Sequence, residues 1–163
     1  MYKKIMVPLD GSELAECVIP HVEKLVSGRQ VGTIVFVRVI EASPLSYKGA
    51  YVTSKDELDQ LESRTKKIEE ERKSAATNYL KEVVGRLKQD GMEYQTEVLV
   101  GKAADNLIDY AENNEIELIL IATHGRSGIS RWVRGSIADR ILRASRVPVL
   151  MVRAPGTMSP GKA

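Results

Sequence analysis

The residue types best suited to binding chemistry in this chain lie in one stretch near its C-terminal end. A run of apolar residues ends at Ala122, and a helical pattern begins at Ser136. Glycines and arginines occupy the interval, namely Gly125, Arg126, Gly128, Arg131, Arg134 and Gly135. Glycines let a backbone approach a ligand closely, and the unpaired amides and dipole at a helix start favour an anion. The pattern predicts a phosphate-binding loop, to which Arg126 adds charge.

The same stretch also fits an ordinary connection between a strand and a helix. Ser136 and Asp139 have the spacing of a capping box in which Asp replaces the usual Glu or Gln. Gly135 then makes only a turn, and the arginines are solvated. The Walker pattern and Gly-x-Gly-x-x-Gly do not occur in the chain. Spacing alone leaves both interpretations open.

A second candidate is Asp10, which follows a short apolar strand predicted at residues 4–8. Ligands of open parallel sheets bind beyond the carboxyl ends of the strands, and Asp10 occupies such a position. The alternative is a turn aspartate beside Gly11, because Asp and Gly are common turn residues. A ligand contact and a turn therefore both remain possible roles for this carboxylate.

Apolar runs alternate with helical patterns along the chain, which predicts an α/β fold with a parallel sheet and helices on both faces. Strands are predicted at 4–8, 33–39, 94–100, 117–122 and 147–152. Helices are predicted at 12–28, 65–88, 101–114 and 136–145. Pro20 is expected to kink or split the first helix. Residues 41–63 contain Pro, Gly and Ser and are predicted to be a variable loop.

Composition limits the classes of partner that the chain is expected to bind. The 163 residues suit one domain, and the net charge of +2 is too small to indicate nucleic acid. Cys17 is the one cysteine, so no intrachain disulfide is possible. Neither a signal-peptide apolar region nor a membrane-spanning run is found in the sequence. We expect a cytoplasmic protein with no nucleic-acid or membrane partner.

Two motifs resemble the universal stress protein family. Gly125, nine intervening residues and then Gly135-Ser136 resemble the family's ATP-binding signature, which reads Gly-x-x-Gly, nine residues, then Gly-Ser or Gly-Thr. The sequence of residues 123–128, Thr-His-Gly-Arg-Ser-Gly, is also similar to the usual sequence of the family at this place. Ala122 departs from the signature because it occupies the place of the first glycine. A strand followed by Pro-x-Asp-x-Ser, with Asp10 at its centre, is similar to the family's opening.

The resemblance implies a single domain over residues 1–153, followed by a flexible tail at 154–163. It implies five parallel strands in the order 3-2-1-4-5, a Rossmann-like fold that binds adenine nucleotides. Adenosine is expected near the first two strands and the phosphates near the glycine loop. The cofactor is expected to be ATP, with Mg²⁺ able to bridge its phosphates. The residues implied are Pro8, Leu9, Asp10, Val39, Ala122, Thr123, Gly125, Arg126, Gly128, Gly135, Ser136 and Ile137.

The function implied is that of an ATP-binding stress-response or regulatory protein. The nucleotide is expected to act as a switch or structural ligand with slow or no hydrolysis, because His124 is the only acid or base candidate in the glycine loop. One alternative is a nucleotide-free interaction protein, which Ala122 favours. Another is a weak ATPase or nucleotide-transfer enzyme. The resemblance also implies a homodimer built on the last strand, through Val147, Val149 and Met151.

Overall fold

Five parallel strands form the central layer of the fold. The computed structural model describes residues 1–28, 31–42, 55–87, 92–123 and 136–154. The strands are β1 (Tyr2–Pro8), β2 (Val31–Ile40), β3 (Glu93–Val100), β4 (Leu118–Thr123) and β5 (Val149–Arg153). Their spatial order is β3-β2-β1-β4-β5, and each pair is parallel. The predicted fold class and strand order are therefore confirmed.

Helices cover both faces of this sheet. They are α1 (Ile19–Ser27), α2 (Lys55–Arg86), α3 (Ala103–Asn113) and α4 (Ser136–Ala144), and a 3-10 helix over Ala15–Val18 precedes α1. Pro20 lies in the first turn of α1, where its missing N–H costs no hydrogen bond. The first predicted helix is accordingly split, as Pro20 indicated.

The central strands are apolar almost without interruption because they are buried on both sides. Ile5 and Phe36 point to the face covered by α1 and α2, whereas Met6 and Val37 point to the face covered by α3 and α4. All four side chains are completely buried. The alternation along each strand therefore divides the interior into two cores.

The direction of strand addition reverses at β1, which pairs with β2 on one side and β4 on the other. The crossover from β1 to β2 runs through α1 on one face, whereas β4 is reached from β3 through α3 on the other face. The carboxyl ends of β1 and β4 therefore lie side by side at this point of reversal, which is where open α/β sheets bind ligands.

The predicted boundaries need two corrections. Helix α2 begins at Lys55, so residues 55–63 are helical rather than part of the loop predicted over 41–63. Good helix formers and the acidic residues Asp56 and Glu57 in the first turn favour that start. Ala154, predicted to open a flexible tail, is 2% exposed, and its amide donates to the Thr123 carbonyl at 3.0 Å. The rest of the predicted tail, and residues 43–54, lie outside the described residues.

Candidate functional site

A cleft of about 200 Å³ lies at the carboxyl ends of β1, β2 and β4. Strand residues form its floor, and the first turns of α3 and α4 contribute Ala103 and Ile137 to its walls. Most of the lining side chains are aliphatic. A planar apolar group fits such a surface, while a polar substituent can reach the rim.

Six of the residues singled out from the sequence line this one cleft. They are Pro8, Leu9, Asp10, Val39, Ala122 and Ile137. They come from β1 and the turn that follows it, β2, β4 and α4, so only the folded sheet brings them together. Thr123 is not among the lining residues: its hydroxyl donates to the Val152 carbonyl at 3.5 Å. Ser136 is the first residue of α4, and Gly125, Arg126, Gly128 and Gly135 lie outside the described residues.

The sequence did not single out the other half of the lining. Those residues are Ala15, Val37, Ala103, Leu107, Ile121 and Ala138. Side chains alternate between the two faces of a strand, and Val37 lies two residues before Val39 and so shares its face. This alternation could have identified Val37 as a lining residue. No sequence signal identifies Ala103 or Leu107, because α3 follows β3, which is two strands away from β1 in the sheet.

Asp10 forms a turn at the rim of the cleft. Its Oδ1 accepts hydrogen bonds from the Ser12 amide at 2.8 Å and from the Ser12 hydroxyl at 2.6 Å. Gly11 between them has a φ of +89°, a conformation that other residues rarely adopt. The Oδ2 atom accepts no hydrogen bond from any described residue. The turn role is therefore present, and one carboxylate oxygen remains available to a ligand.

A chain of polar contacts lies behind this turn, on the face covered by α2. The Arg38 guanidinium stacks on the Tyr79 ring at 5.0 Å. The Tyr79 hydroxyl donates to Glu16 Oε1 at 2.9 Å, and Arg86 Nη2 donates to Glu16 Oε2 at 2.8 Å. Burial and the hydrogen bond to Glu16 raise the pKa of the Tyr79 phenol above its usual range, so this group is a neutral donor.

Ala122, the departure from the signature, is an ordinary strand residue in the structure. It lies in β4 opposite Val152 and lines the cleft. An extended residue needs none of the conformational freedom of glycine. The methyl group therefore costs the backbone nothing and acts only by occupying space.

The described residues contain no group of three or more His, Cys, Asp or Glu side chains that could hold a metal ion. Among the residues that the structure describes, the polar features of the cleft are Asp10 and the first turns of α3 and α4. Backbone amides at such helix starts lack intrahelical partners and favour negative charge. The arrangement suits a ligand with an apolar ring, hydroxyl groups and an anionic end.

The sequence model of the Universal stress protein family matches residues 1–153. The chain belongs to this family. It is 29% identical over 156 residues to universal stress protein MJ0531 of Methanocaldococcus jannaschii, a match that covers 95% of this chain and 84% of the relative. It is 26% identical over 160 residues to universal stress protein MJ0577 of the same organism, covering 94% and 96%.

Solved structures of universal stress proteins have the same fold. That of MJ0577 matches with a TM-score of 0.72 at 23% identity, covering 94% of this chain and 96% of that chain. A universal stress protein in complex with cAMP matches at 0.64 and 17%, covering 93% and 97%. An Arabidopsis thaliana member with AMP bound matches at 0.59 and 13%, covering 93% and 92%. Two of these three neighbours therefore hold an adenine nucleotide.

No helix within the described ranges combines the length and apolar character needed to cross a membrane. His21 is exposed on α1, and Cys17 packs partly against the core in the 3-10 helix. Burial raises the pKa of the Cys17 thiol, which makes it a poor nucleophile. Neither residue lines the cleft.

Proposed function

We propose that this universal stress protein binds ATP in the cleft at the ends of β1, β2 and β4. The observation that carries the proposal is that six residues chosen from sequence motifs line a single apolar cleft at the reversal point of the sheet. Structural neighbours that hold cAMP and AMP support an adenine nucleotide as the ligand class.

The cleft suits the adenosine end of the nucleotide. Val39, Leu107 and Ala103 provide apolar surface for a purine ring. The backbone of Val39 carries the polar groups that would meet the ring edge. Asp10 Oδ2 is an acceptor at the rim, suited to a sugar hydroxyl, since its Oδ1 is already used by Ser12. Adenosine is thus held by burial of its ring and oriented by one carboxylate.

The phosphate end is assigned from the signature. Gly125, Arg126, Gly128 and Gly135 supply amides and charge in the sequence motif. Ile137, in the first turn of α4, lines the cleft, so the start of this helix borders the ligand. Mg²⁺ would be held mainly by the phosphates, because the described residues offer no acidic cluster for it.

The bound nucleotide acts as a switch or structural ligand and is hydrolysed slowly or not at all. Rapid hydrolysis requires a group that positions water in line with the γ-phosphate. Asp10 belongs to the adenosine end, and Asp139 is paired with Arg143 at 2.9 Å. Tight binding of ground-state phosphates does not lower the barrier by itself. We therefore expect turnover well below the typical enzyme value of about 10 per second.

The decisive experiment measures what the purified protein carries. Denatured wild-type protein should release an adenine nucleotide identified by mass, and calorimetry should detect ATP binding to the emptied protein. Gly135→Val, which places a β-branched side chain in the signature, should fold and lose ATP affinity. A folded variant with unchanged affinity would disprove the phosphate assignment. Steady-state turnover above about 1 per second that disappears in this variant would make the protein an enzyme.

A nucleotide-free interaction protein is the second candidate, favoured by the Ala122 methyl that lines the cleft. Ala122→Gly separates the two functions. If the methyl excludes ATP, the variant binds ATP and the wild type does not. If both bind equally, the departure from the signature has no functional effect.

We further propose that the protein forms a homodimer through β5, the strand at one edge of the sheet. Val149 and Met151 are half-buried against the α3 and α4 face, whereas Leu150 on the opposite face is 43% exposed. An apolar edge strand is an aggregation liability unless a partner covers it. Light scattering should give twice the 18.1 kDa chain mass, and Leu150→Lys should give the monomer. A wild-type monomer at tens of micromolar would contradict the proposal.

A further inference from the structure

Arg38 has an unusual position for a charged residue, because it lies near the end of the buried strand β2. Its neighbours Val37 and Val39 line the cleft. Side chains alternate along a strand, and Arg38 accordingly points to the other face, where it stacks on Tyr79 of α2. The residue is thus directly behind the cleft without lining it.

The guanidinium of Arg38 lies against the turn that carries Asp10. A Cβ atom placed on Gly11 would come within 2.9 Å of Arg38 Nη2 and within 3.0 Å of Cζ. The turn therefore passes over the guanidinium at close range. Glycine is favoured there by its φ of +89°, and a side chain at this position would also displace the Arg38 guanidinium.

The surface that holds Arg38 is itself held in place. Tyr79 donates to Glu16 of the 3-10 helix, and Glu16 also accepts from Arg86 of α2. Tyr79 and Glu16 are both partly buried. The ring is therefore fixed in orientation, and the guanidinium is confined between this ring and the Gly11 backbone.

The charge of Arg38 is not used in an ion pair with any described residue. It takes no part in the ion pairs Arg86–Glu16, Arg140–Asp105 and Arg143–Asp139. A planar cation stacked on an aromatic ring is attracted to its face, and the attraction strengthens as the cation is desolvated. The planar guanidinium group of Arg38 thus forms a rigid support beneath the Asp10 turn.

We propose that Arg38 is a positioning residue for the nucleoside end of the cleft. Stacked on Tyr79, it supports the turn at Gly11 and so determines where the Asp10 carboxylate lies relative to the sugar. The role in ligand affinity depends on the proposed function, whereas the support of the turn does not.

The first test needs no ligand. Arg38→Met keeps a side chain of similar length but removes the charged plane. Amide exchange of Ser12, whose N–H donates to Asp10, should become about tenfold faster in this variant at unchanged global stability. Arg143→Met is the control, because Arg143 pairs with Asp139 within α4 and not with Tyr79 or Glu16, and Ser12 exchange should keep the wild-type rate in it. Unchanged exchange at Ser12 in Arg38→Met overturns the proposal.

The second test measures binding of adenosine by calorimetry. Arg38→Met should weaken the affinity about fivefold, the range expected from the stacking energy. Tyr79→Phe keeps the ring beneath Arg38 but removes the hydrogen bond that orients it, so its loss of affinity should be smaller than that of Arg38→Met. Arg38→Lys keeps a cation over the ring and should recover part of the loss. It also serves as the test variant if Arg38→Met does not fold.

A double-mutant cycle distinguishes positioning from a general effect on the fold. If Arg38 acts through Asp10, Arg38→Met should cause no further loss in the Asp10→Ala background. A full, additive loss there overturns the proposal. A wild-type protein that binds neither adenosine nor ATP would refute the proposed function instead, and the exchange rate of Ser12 would still decide whether Arg38 supports the turn.

Discussion

The two faces of the sheet are packed in different ways. On the face covered by α1 and α2, large side chains such as Phe36 and Leu80 are completely buried and fill the space between layers. On the other face, α3 and α4 contact the sheet through small and large side chains together, namely Ala104, Leu107, Ala111, Ala138 and Ile141. Small side chains near the carboxyl ends of the strands leave the cleft open. Most of the cleft lining belongs to the core covered by α3 and α4, called the open face below, and less of it belongs to the closed face covered by α1 and α2.

The largest effect is expected from Phe36→Ala on the closed face. Phe36 is completely buried and stacks on Tyr94 at a centroid distance of 6.3 Å. Its removal leaves a cavity and should lower the free energy of unfolding by about 3–5 kcal/mol. Urea denaturation measures the change. A loss below about 1 kcal/mol would mean that this face is not the main source of stability.

Ala103→Phe tests the open face by adding a side chain to the cleft rather than by removing one from a core. The added ring should occupy the cleft and weaken ATP binding by more than about tenfold, while the free energy of unfolding changes by less than about 1 kcal/mol. Calorimetry and urea denaturation on the same preparation measure both. Val39→Ala is a useful control, because Val39 is expected to act through its backbone and should lose far less affinity. Unchanged ATP affinity in Ala103→Phe would place the ligand elsewhere.

Asp10→Ala distinguishes the adenosine end of the cleft from the phosphate end. The substitution should weaken ATP binding by about tenfold and leave free triphosphate nearly unaffected, because the carboxylate belongs to the adenosine end. Competition calorimetry with the two ligands separates these cases. Equal losses for both ligands would move Asp10 to the phosphate end or remove it from the site.

The smallest effect is expected from Gly85→Ala on the outer surface of α2. Nothing lies within 4 Å of a Cβ placed at Gly85. A glycine inside a helix costs about 0.5–1 kcal/mol relative to alanine, and because Gly85 lies in the last turn of α2 the variant should be more stable by less than that amount. Its ATP affinity should equal that of the wild type. A change in affinity would show that the closed face also influences the ligand.

Several features of the structure were predictable because they depend on neighbours in the chain. Pro20 split the first helix as expected, and Asp10 with Gly11 formed the turn that their residue types favour. The start of α2 was missed because residues 55–63 are mostly polar, and half-buried Leu58 and Leu61 are its few apolar side chains. Helix propensity, rather than an apolar face, was the signal that mattered there.

The sequence by itself determined the alternation of strands and helices, the family and the turn at Asp10, because each rests on local spacing. Only the tertiary structure decided that Ala103 and Leu107 share a cleft with Asp10, and that Arg38 lies beneath Gly11. Those contacts depend on strand order and register, which follow from how both faces bury their side chains together. Nothing in the sequence around a residue indicates which distant residues it will contact, so these contacts could be identified only from the folded sheet.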